Sequence, residues 1–484
     1  MSILEGLKPK RVFHYFEKIT QIPHGSENTK QISDYLVDFA ATHGLSYIQD
    51  ESNNVIIRKE ASAGYEHSIG VILQGHCDMV CEKTAGSDHD FKHDPLKLEV
   101  DGDFISAKDT TLGGDDGIAV AYMLAILEDN SISHPPLECV FTTDEEIGLL
   151  GANALDASLL KGKRMINLDS EEEGSIWTSC AGGMRSDCEI PVIREKVHGT
   201  SYEVVIDGLL GGHSGSEIDK NRANSNILLG RFLFGLSQRM NYSLIEAEGG
   251  SKDNAIPRIS SAMLLIDEKE SELLNSFASQ LELQLKKEYE NTDDGICITL
   301  SKGKEADYHA LSQISREKLT FYLMNVPNGI QKMSGSIEGL VETSCNLGIF
   351  HMFKEDDNLL GSLSVRSSVE SAKDALSDRL CYLTEFLGGT YSTRGSYPAW
   401  EYREDSLLRD IMVKVYEDMY QKKPQVVAIH AGLECGLFYG RIDGLDCTSI
   451  GPDLTDVHTT EEKMSISSAA RVYEYLLNVL KELK

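Results

Sequence analysis

At 484 residues the chain exceeds what one hydrophobic core serves, so two domains are expected. Its formal net charge of −31 argues against nucleic acid or an anionic membrane surface as a partner. Apolar residues make up 41% and charged residues 25%, an ordinary globular balance, and no apolar run approaches the ~20 residues that span a bilayer. The first residues, MSILEGLKPKRVFHYF, lack the apolar stretch and small-residue cleavage site of a signal peptide, and a cytoplasmic location is expected. The ten cysteines are scattered and form no CxxC pair, which speaks against structural zinc and a disulfide framework.

Residues 11–43 carry helical apolar spacing through Val12, Phe13, Phe16 and Ile19, then Ile32, Tyr35, Leu36 and Phe39. Val55 to Ile57 and Ile69 to Leu73 read as strands. Gly117 to Leu127 is apolar on nearly all faces and reads as a buried helix. Leu137 to Thr142 and Met165 to Leu168 read as further strands. This alternation predicts an α/β sheet covered on both sides. The texture changes near Cys188. From about 187 to 390, β-type runs (202–206, 260–266, 296–300) alternate with two long amphipathic stretches, 223–240 and 270–289, as in an α+β unit. The α/β pattern returns with a helix near 407–420, a strand near 446–450 and a closing helix over 465–483. The organisation read is therefore 1–186 and 391–484 as one domain, with 187–390 inserted as a second.

Chemistry-bearing residues follow the apolar strands. In GHCDMV, His76 and Asp78 are two apart, so an extended backbone points them to one side, with Asp78 placed to orient the imidazole. In TTLGGDDG, Asp115 has two oxygens with which to bridge two cations, and Asp116 reads as a cap of the following helix. TTDEEIG sets Asp144, Glu145 and Glu146 past a buried strand, an arrangement that a cation would relieve. Glu146 reads as a ligand and Glu145 as a general base, and the residues alone leave those two roles interchangeable. Asp169 follows the strand MINL as a fourth ligand, while Glu171 to Glu173 read as a solvated loop. His458, in GPDLTDVHTTEEK, gains meaning as the fifth member of this set.

Imidazole and carboxylate ligands without thiolate suit Zn²⁺, Mn²⁺ or Co²⁺. Five ligands with one shared carboxylate suit two ions about 3.5–4 Å apart, able to make hydroxide available at neutral pH. Other motifs fail: the chain has no HExxH, no Walker loop and no GxGxxG, and GGHSGSE misses the GxSxG elbow by one position.

Taken together, GHCDMV, GGDDG, TTDEEIG, NLDSEEEG, GGHSG and DVHTTEE resemble the dinuclear zinc peptidase family of aminoacylases, carboxypeptidases and dipeptidases. The longer phrases HDFKHDPL, NLDSEEEGSIWTSCAGG and AIHAGLECG narrow the likeness to its dipeptidase members, some acting on histidine-containing dipeptides. The resemblance implies a catalytic domain with a mixed sheet, interrupted by an inserted α+β lid. It implies one zinc at His76, Asp169 and shared Asp115, and another at Glu146, His458 and Asp115. Asp78 matches the acid that orients His76, Glu145 the general base, and the Asp115–Asp116 peptide one that is usually cis in the family. His213 matches a lid histidine that supports the oxyanion. Asn254 in NAIP and Arg366 in LSVRSS resemble contacts to the substrate carboxylate, and His430 and Glu434 resemble holders of its amine. A small dipeptide substrate, no nucleic acid or membrane partner, and a homodimer are implied, although the inserted unit is longer than the lid of simpler members. The alternatives are a deacylase or carboxypeptidase acting on N-blocked amino acids, and a metal-binding protein without catalysis.

Overall fold

The computed structural model describes residues 3–484. The chain folds into two units. The first contains the residues up to Cys180 together with Trp400–Ala428 and Leu433–Lys484, and the second contains Ala181–Ala399 and Ile429–Gly432. The crossings thus fall outside the 187–390 limits read from composition. The physical reason lies in two strands. Gly182–Pro191 begins with glycines, and Thr390–Tyr397 is polar and largely exposed, so neither end carries an apolar signal.

The first unit is built on an eight-stranded sheet. Its order is Ser46–Gln49, Val55–Lys59, Leu137–Thr142, Val71–His76, Arg164–Asn167, Asp446–Ser449, Ser175–Cys180 and Gln425–Ile429. The centre, from Leu137–Thr142 to Asp446–Ser449, is parallel. Val71–His76 and Leu137–Thr142 are buried along their whole length, which is why they read as continuous apolar runs. The helical spacing over 11–43 resolves into two helices, Lys10–Ile19 and Lys30–Thr42. The helix Gly114–Glu128 is buried almost throughout. At Gly117 an added Cβ would meet Ile19 and Phe16 at 3.2–3.4 Å, so the glycine sets how closely the first helix packs.

The second unit has a core of its own around Phe232, Leu264, Tyr322 and Leu347. Its nine-stranded sheet is antiparallel. It runs Cys297–Leu311, Arg194–Asp207, Ser260–Ile266, Ser243–Gly249, Val341–Met352, Asn358–Ser367, Gly182–Pro191 and Thr390–Tyr397, with Gly329–Met333 pairing to Val341–Met352. The amphipathic stretches become the helices Ser225–Ser237 and Ser271–Glu288. Seven of the ten cysteines are buried and none forms a disulfide. No described helix is long and apolar enough to cross a membrane.

Candidate active site

Open parallel sheets present loops at the carboxyl ends of their strands, and ligands bind there. His76 closes its strand, Asp144 to Glu146 follow Thr142, and Asp169 comes two residues after Asn167. In register, His76 lies opposite Thr142 and Gln74 opposite Asn167, so these three ends are level. His458 lies beyond the neighbouring strand Asp446–Ser449, between the short strands Leu454–Thr455 and Lys463–Ser465, and holds a left-handed backbone, φ 62°. Asp115 stands in the kinked first turn of Gly114–Glu128.

The side chains converge. His76 Nε2 lies 3.0 Å from Asp115 Oδ1 and 3.5 Å from Asp169 Oδ1. His458 Nε2 lies 3.1 Å from Asp115 Oδ2 and 3.0 Å from Glu146 Oε1. Although close to that imidazole, Glu146 Oε1 has no aligned hydrogen-bond donor. Each oxygen of Asp115 therefore faces a different imidazole. Glu145 also offers an oxygen to the cluster of His76 and Glu146, with ligand atoms mutually within 4.8 Å. Of the two glutamates, Glu146 is the one in contact with His458.

The surrounding residues fix this arrangement. His76 Nδ1 faces the Asp78 carbonyl at 3.0 Å and the Asp78 carboxylate at 3.4 Å. Both are acceptors, so Nδ1 carries a proton toward Asp78 and Nε2 is the nitrogen turned to the carboxylates. The Asp78 carboxylate also accepts from Ser26 Oγ at 2.8 Å and from the Glu145 N–H at 3.1 Å. Glu462 accepts from the N–H groups of Leu112, Gly113 and Gly114 at 2.8–3.1 Å and holds the loop that carries Asp115.

Asp116 does not cap its helix, as the sequence reading expected. Its Oδ2 accepts from the His76 N–H at 3.2 Å, because the non-helical backbone at 115–116 turns the side chain toward the strand. The Asp115–Asp116 peptide is cis. An added Cβ on Gly75 would meet Asp116 Oδ2 at 2.4 Å, so only glycine admits this contact. Glu173, read as solvated, instead pairs with Arg471 through both carboxylate oxygens at 2.6–2.7 Å.

A buried polar ladder runs beneath the ligands. Asn167 Nδ2 donates to Gln74 Oε1 at 2.7 Å, and Ser449 Oγ to Asn167 Oδ1 at 2.5 Å. Gln74 and Thr142 both donate to Glu434 Oε2, at 2.5 and 2.7 Å. Ser26, Glu462 and the ladder residues Gln74, Thr142, Asn167 and Ser449 were not singled out from the sequence, whereas Glu434 was. Glu462 lies inside a phrase already notable for His458, which was the available signal.

The electrostatics of the cluster favour a bound cation. Burial lowers the His76 imidazole, yet the carboxylates of Asp169, Asp115 and Asp78 together hold it well above its ordinary value. Hydrogen bonds to Asp115 and Glu146 raise His458 to about 11. Burial raises Asp169 to about 7, against the pull of His76. Glu434 is raised to about 7 by the same cause, and Glu145 well above the carboxylate range. Acids crowded in a dry site demand either protons or a cation.

The remaining candidates divide between the units. Glu434 belongs to the first, fully buried on the ladder. His213, Asn254, Arg366 and His430 belong to the second. There a Cβ on Gly215 would touch His213 Cε1, Arg366 Nε and the His430 carbonyl at 2.8–3.2 Å, so these three residues surround one point. Asn254 adjoins them, its carbonyl accepting from the Ser214 N–H at 2.9 Å. His213 Nδ1 accepts from the N–H of Ser216 at 3.1 Å, which leaves Nε2 to carry the proton. Burial and Arg366 lower His213, and the same two causes lower His430 to about 3, so both rings are neutral. His430 Nε2 lies 2.7 Å from Ser344 Oγ. The charged neighbour of His430 is the Arg366 guanidinium.

A model of peptidase family M20/M25/M40 matches residues 72–482. The chain belongs to this family of peptidases. Among the relatives of this M20 peptidase is the cytosol non-specific dipeptidase of Escherichia coli (strain K12). It is 36% identical over 485 residues, covering 100% of this chain and 99% of that protein. The crystal structure of aminoacylhistidine dipeptidase from Vibrio alginolyticus matches with a TM-score of 0.93 and 34% identity, over 99% of this chain and 98% of that one. A tripeptidase from Staphylococcus aureus shares the fold, with a TM-score of 0.58 and 16% identity over 99% of each chain. The M20 peptidase thus has the family's mixed α/β architecture, a catalytic domain plus a lid.

Proposed function

We propose that this M20 peptidase is a cytosolic dipeptidase that hydrolyses unblocked dipeptides, with Xaa-His among its preferred substrates. One observation carries the reading. The two oxygens of Asp115 each face the Nε2 of a different histidine at 3.0–3.1 Å, while His76 Nδ1 is already committed to Asp78. Imidazole nitrogens and carboxylate oxygens converging in this way fit a pair of divalent cations around a shared carboxylate, with His76 and Asp169 on one side and Glu146 and His458 on the other. Imidazole and carboxylate donors favour Zn²⁺, with Co²⁺ and Mn²⁺ as substitutes. Such ions, when bound, polarise the scissile carbonyl and acidify water.

The chain's own residues supply the rest. Glu145, its backbone fixed by Asp78 and its carboxyl raised by burial, takes the proton of the attacking water and returns it to the departing amine. His213 presents a neutral Nε2–H as donor to the tetrahedral oxyanion. Arg366 receives the substrate carboxylate: its guanidinium is buried, its Nε has no partner, and no described carboxylate pairs with it. His430 and Asn254 adjoin Arg366 at that end, and Glu434, with Oε1 unpartnered, is left as the acid for the free amine. The names of the Escherichia coli and Vibrio alginolyticus relatives support a broad dipeptide range that includes histidine. The first and second units act as catalytic domain and lid, and the enzyme works as a homodimer.

A substrate panel tests this reading. With zinc present, β-alanyl-histidine and other free-amine dipeptides should be cleaved, and their N-acetyl derivatives should not. Faster release from N-acyl amino acids than from free dipeptides would replace the dipeptidase reading with a deacylase.

A further inference from the structure

Four residues form one row across the sheet of the second unit. Ser344 on Val341–Met352 lies opposite Arg366 on Asn358–Ser367, Arg366 opposite Gly183 on Gly182–Pro191, and Gly183 opposite Tyr397 on Thr390–Tyr397. Opposed residues in antiparallel strands share a face, and second neighbours across a sheet stand roughly 10 Å apart, twice the strand spacing. Arg366 and Tyr397 nevertheless meet, with Arg366 Nη1 donating to Tyr397 Oη at 2.8 Å. The gap at Gly183 permits it. A Cβ there would lie 2.5 Å from Tyr397 Oη and 2.6 Å from its Cζ, so the phenol rests directly over the glycine. Gly432, in AIHAGLECG, closes the other side, where a Cβ would come within 2.7 Å of Cε2. Behind the ring, Lys373 Nζ donates to the Tyr397 carbonyl at 2.8 Å and pairs with Glu370 at 2.7 Å. At the far end of the row, Ser344 holds His430.

We infer that Tyr397, lying across Gly183, is a positioning residue that locks the Arg366 guanidinium for binding the substrate carboxylate. A free arginine side chain loses rotamer entropy when it engages a ligand, and a fork held in advance loses less. Here the phenol occupies Nη1 and fixes the plane of the fork, and Nε remains open. The oxygen of a phenol does not neutralise the guanidinium as a carboxylate would, so the cation keeps its charge for the ligand. The inference rests on the reading of Arg366 as the carboxylate contact.

Steady-state kinetics on the zinc-loaded, full-length enzyme tests it, using Xaa-His dipeptides and the matching C-terminal amides. Tyr397→Phe keeps the ring and removes the hydroxyl. It should raise KM for the free acids about tenfold, the scale of one hydrogen bond to a charged group, with kcat within about twofold. For the amides, KM should stay within about twofold. In an Arg366→Gln background, adding Tyr397→Phe should change nothing further. Gly183→Ala, which displaces the hydroxyl without removing it, should give the same acid-selective rise. An unchanged KM in Tyr397→Phe, or an equal rise for acids and amides, overturns the role of Tyr397. If Arg366→Gln itself leaves the preference for acids over amides intact, the carboxylate assignment fails, and the positioning role falls with it.

Discussion

Replacing Glu145 with alanine is expected to lower kcat for dipeptide hydrolysis by about 10²–10⁴-fold, the span of general acid–base catalysis, while bound metal stays constant. The separation follows from geometry. Glu146, not Glu145, lies 3.0 Å from His458, and His76, Asp115 and Asp169 hold their contacts without Glu145. Its N–H is held by Asp78, a backbone contact that alanine preserves. The fold of the loop therefore survives the substitution, and only the proton carrier is lost. Zinc content by elemental mass spectrometry and kcat on a free dipeptide are the two readouts. Retained turnover would reject the base assignment, and joint loss of zinc and turnover would recast Glu145 as a ligand.

Asp115→Ala should act on metal first. One carboxylate faces both histidines, so its removal takes a ligand from each position at once. Loss of a mere supporting contact typically costs 10–100-fold in metal affinity, and a shared ligand should cost at least ~10²-fold. We expect zinc to fall well below two ions per chain after dialysis, with dipeptidase activity lost in parallel. Because Glu462 holds the loop through backbone N–H groups, that scaffold persists in the variant. A variant that keeps both ions would show that Asp115 is not shared.

Much of the fold was legible because the central strands are buried on both faces. VILQ, LECVFT and MINL stand out as strand-like runs, and polar residues mark where each one ends. The convergence of His76, Asp115, Glu146, Asp169 and His458 was legible for the same reason: acids and histidines placed past such strands have no place in a dry sheet unless a site uses them. Three things were not. The role of Glu462 depends on backbone N–H groups about 350 positions away, and in TTEEK an acid looks solvated. The limits of the second unit lie in strands whose exposed or glycine-rich ends carry no periodicity. The neighbours of His430 come from registry across the second sheet, where Ser344 and Arg366 pair, and registry is invisible to local pattern. The row from Ser344 to Tyr397 was hidden likewise, since Gly183 reads as a weak strand residue until the phenol lying over it is seen.

The central claim is that strand ends remote in sequence hold a pair of divalent ions around Asp115. Anomalous diffraction at the zinc edge, from crystals of zinc-loaded protein, tests it most directly. We predict two peaks flanking the Asp115 carboxylate, one also reached by His76 and Asp169, the other by Glu146 and His458. Peaks distant from Asp115, or a single ion bound without it, would contradict the account.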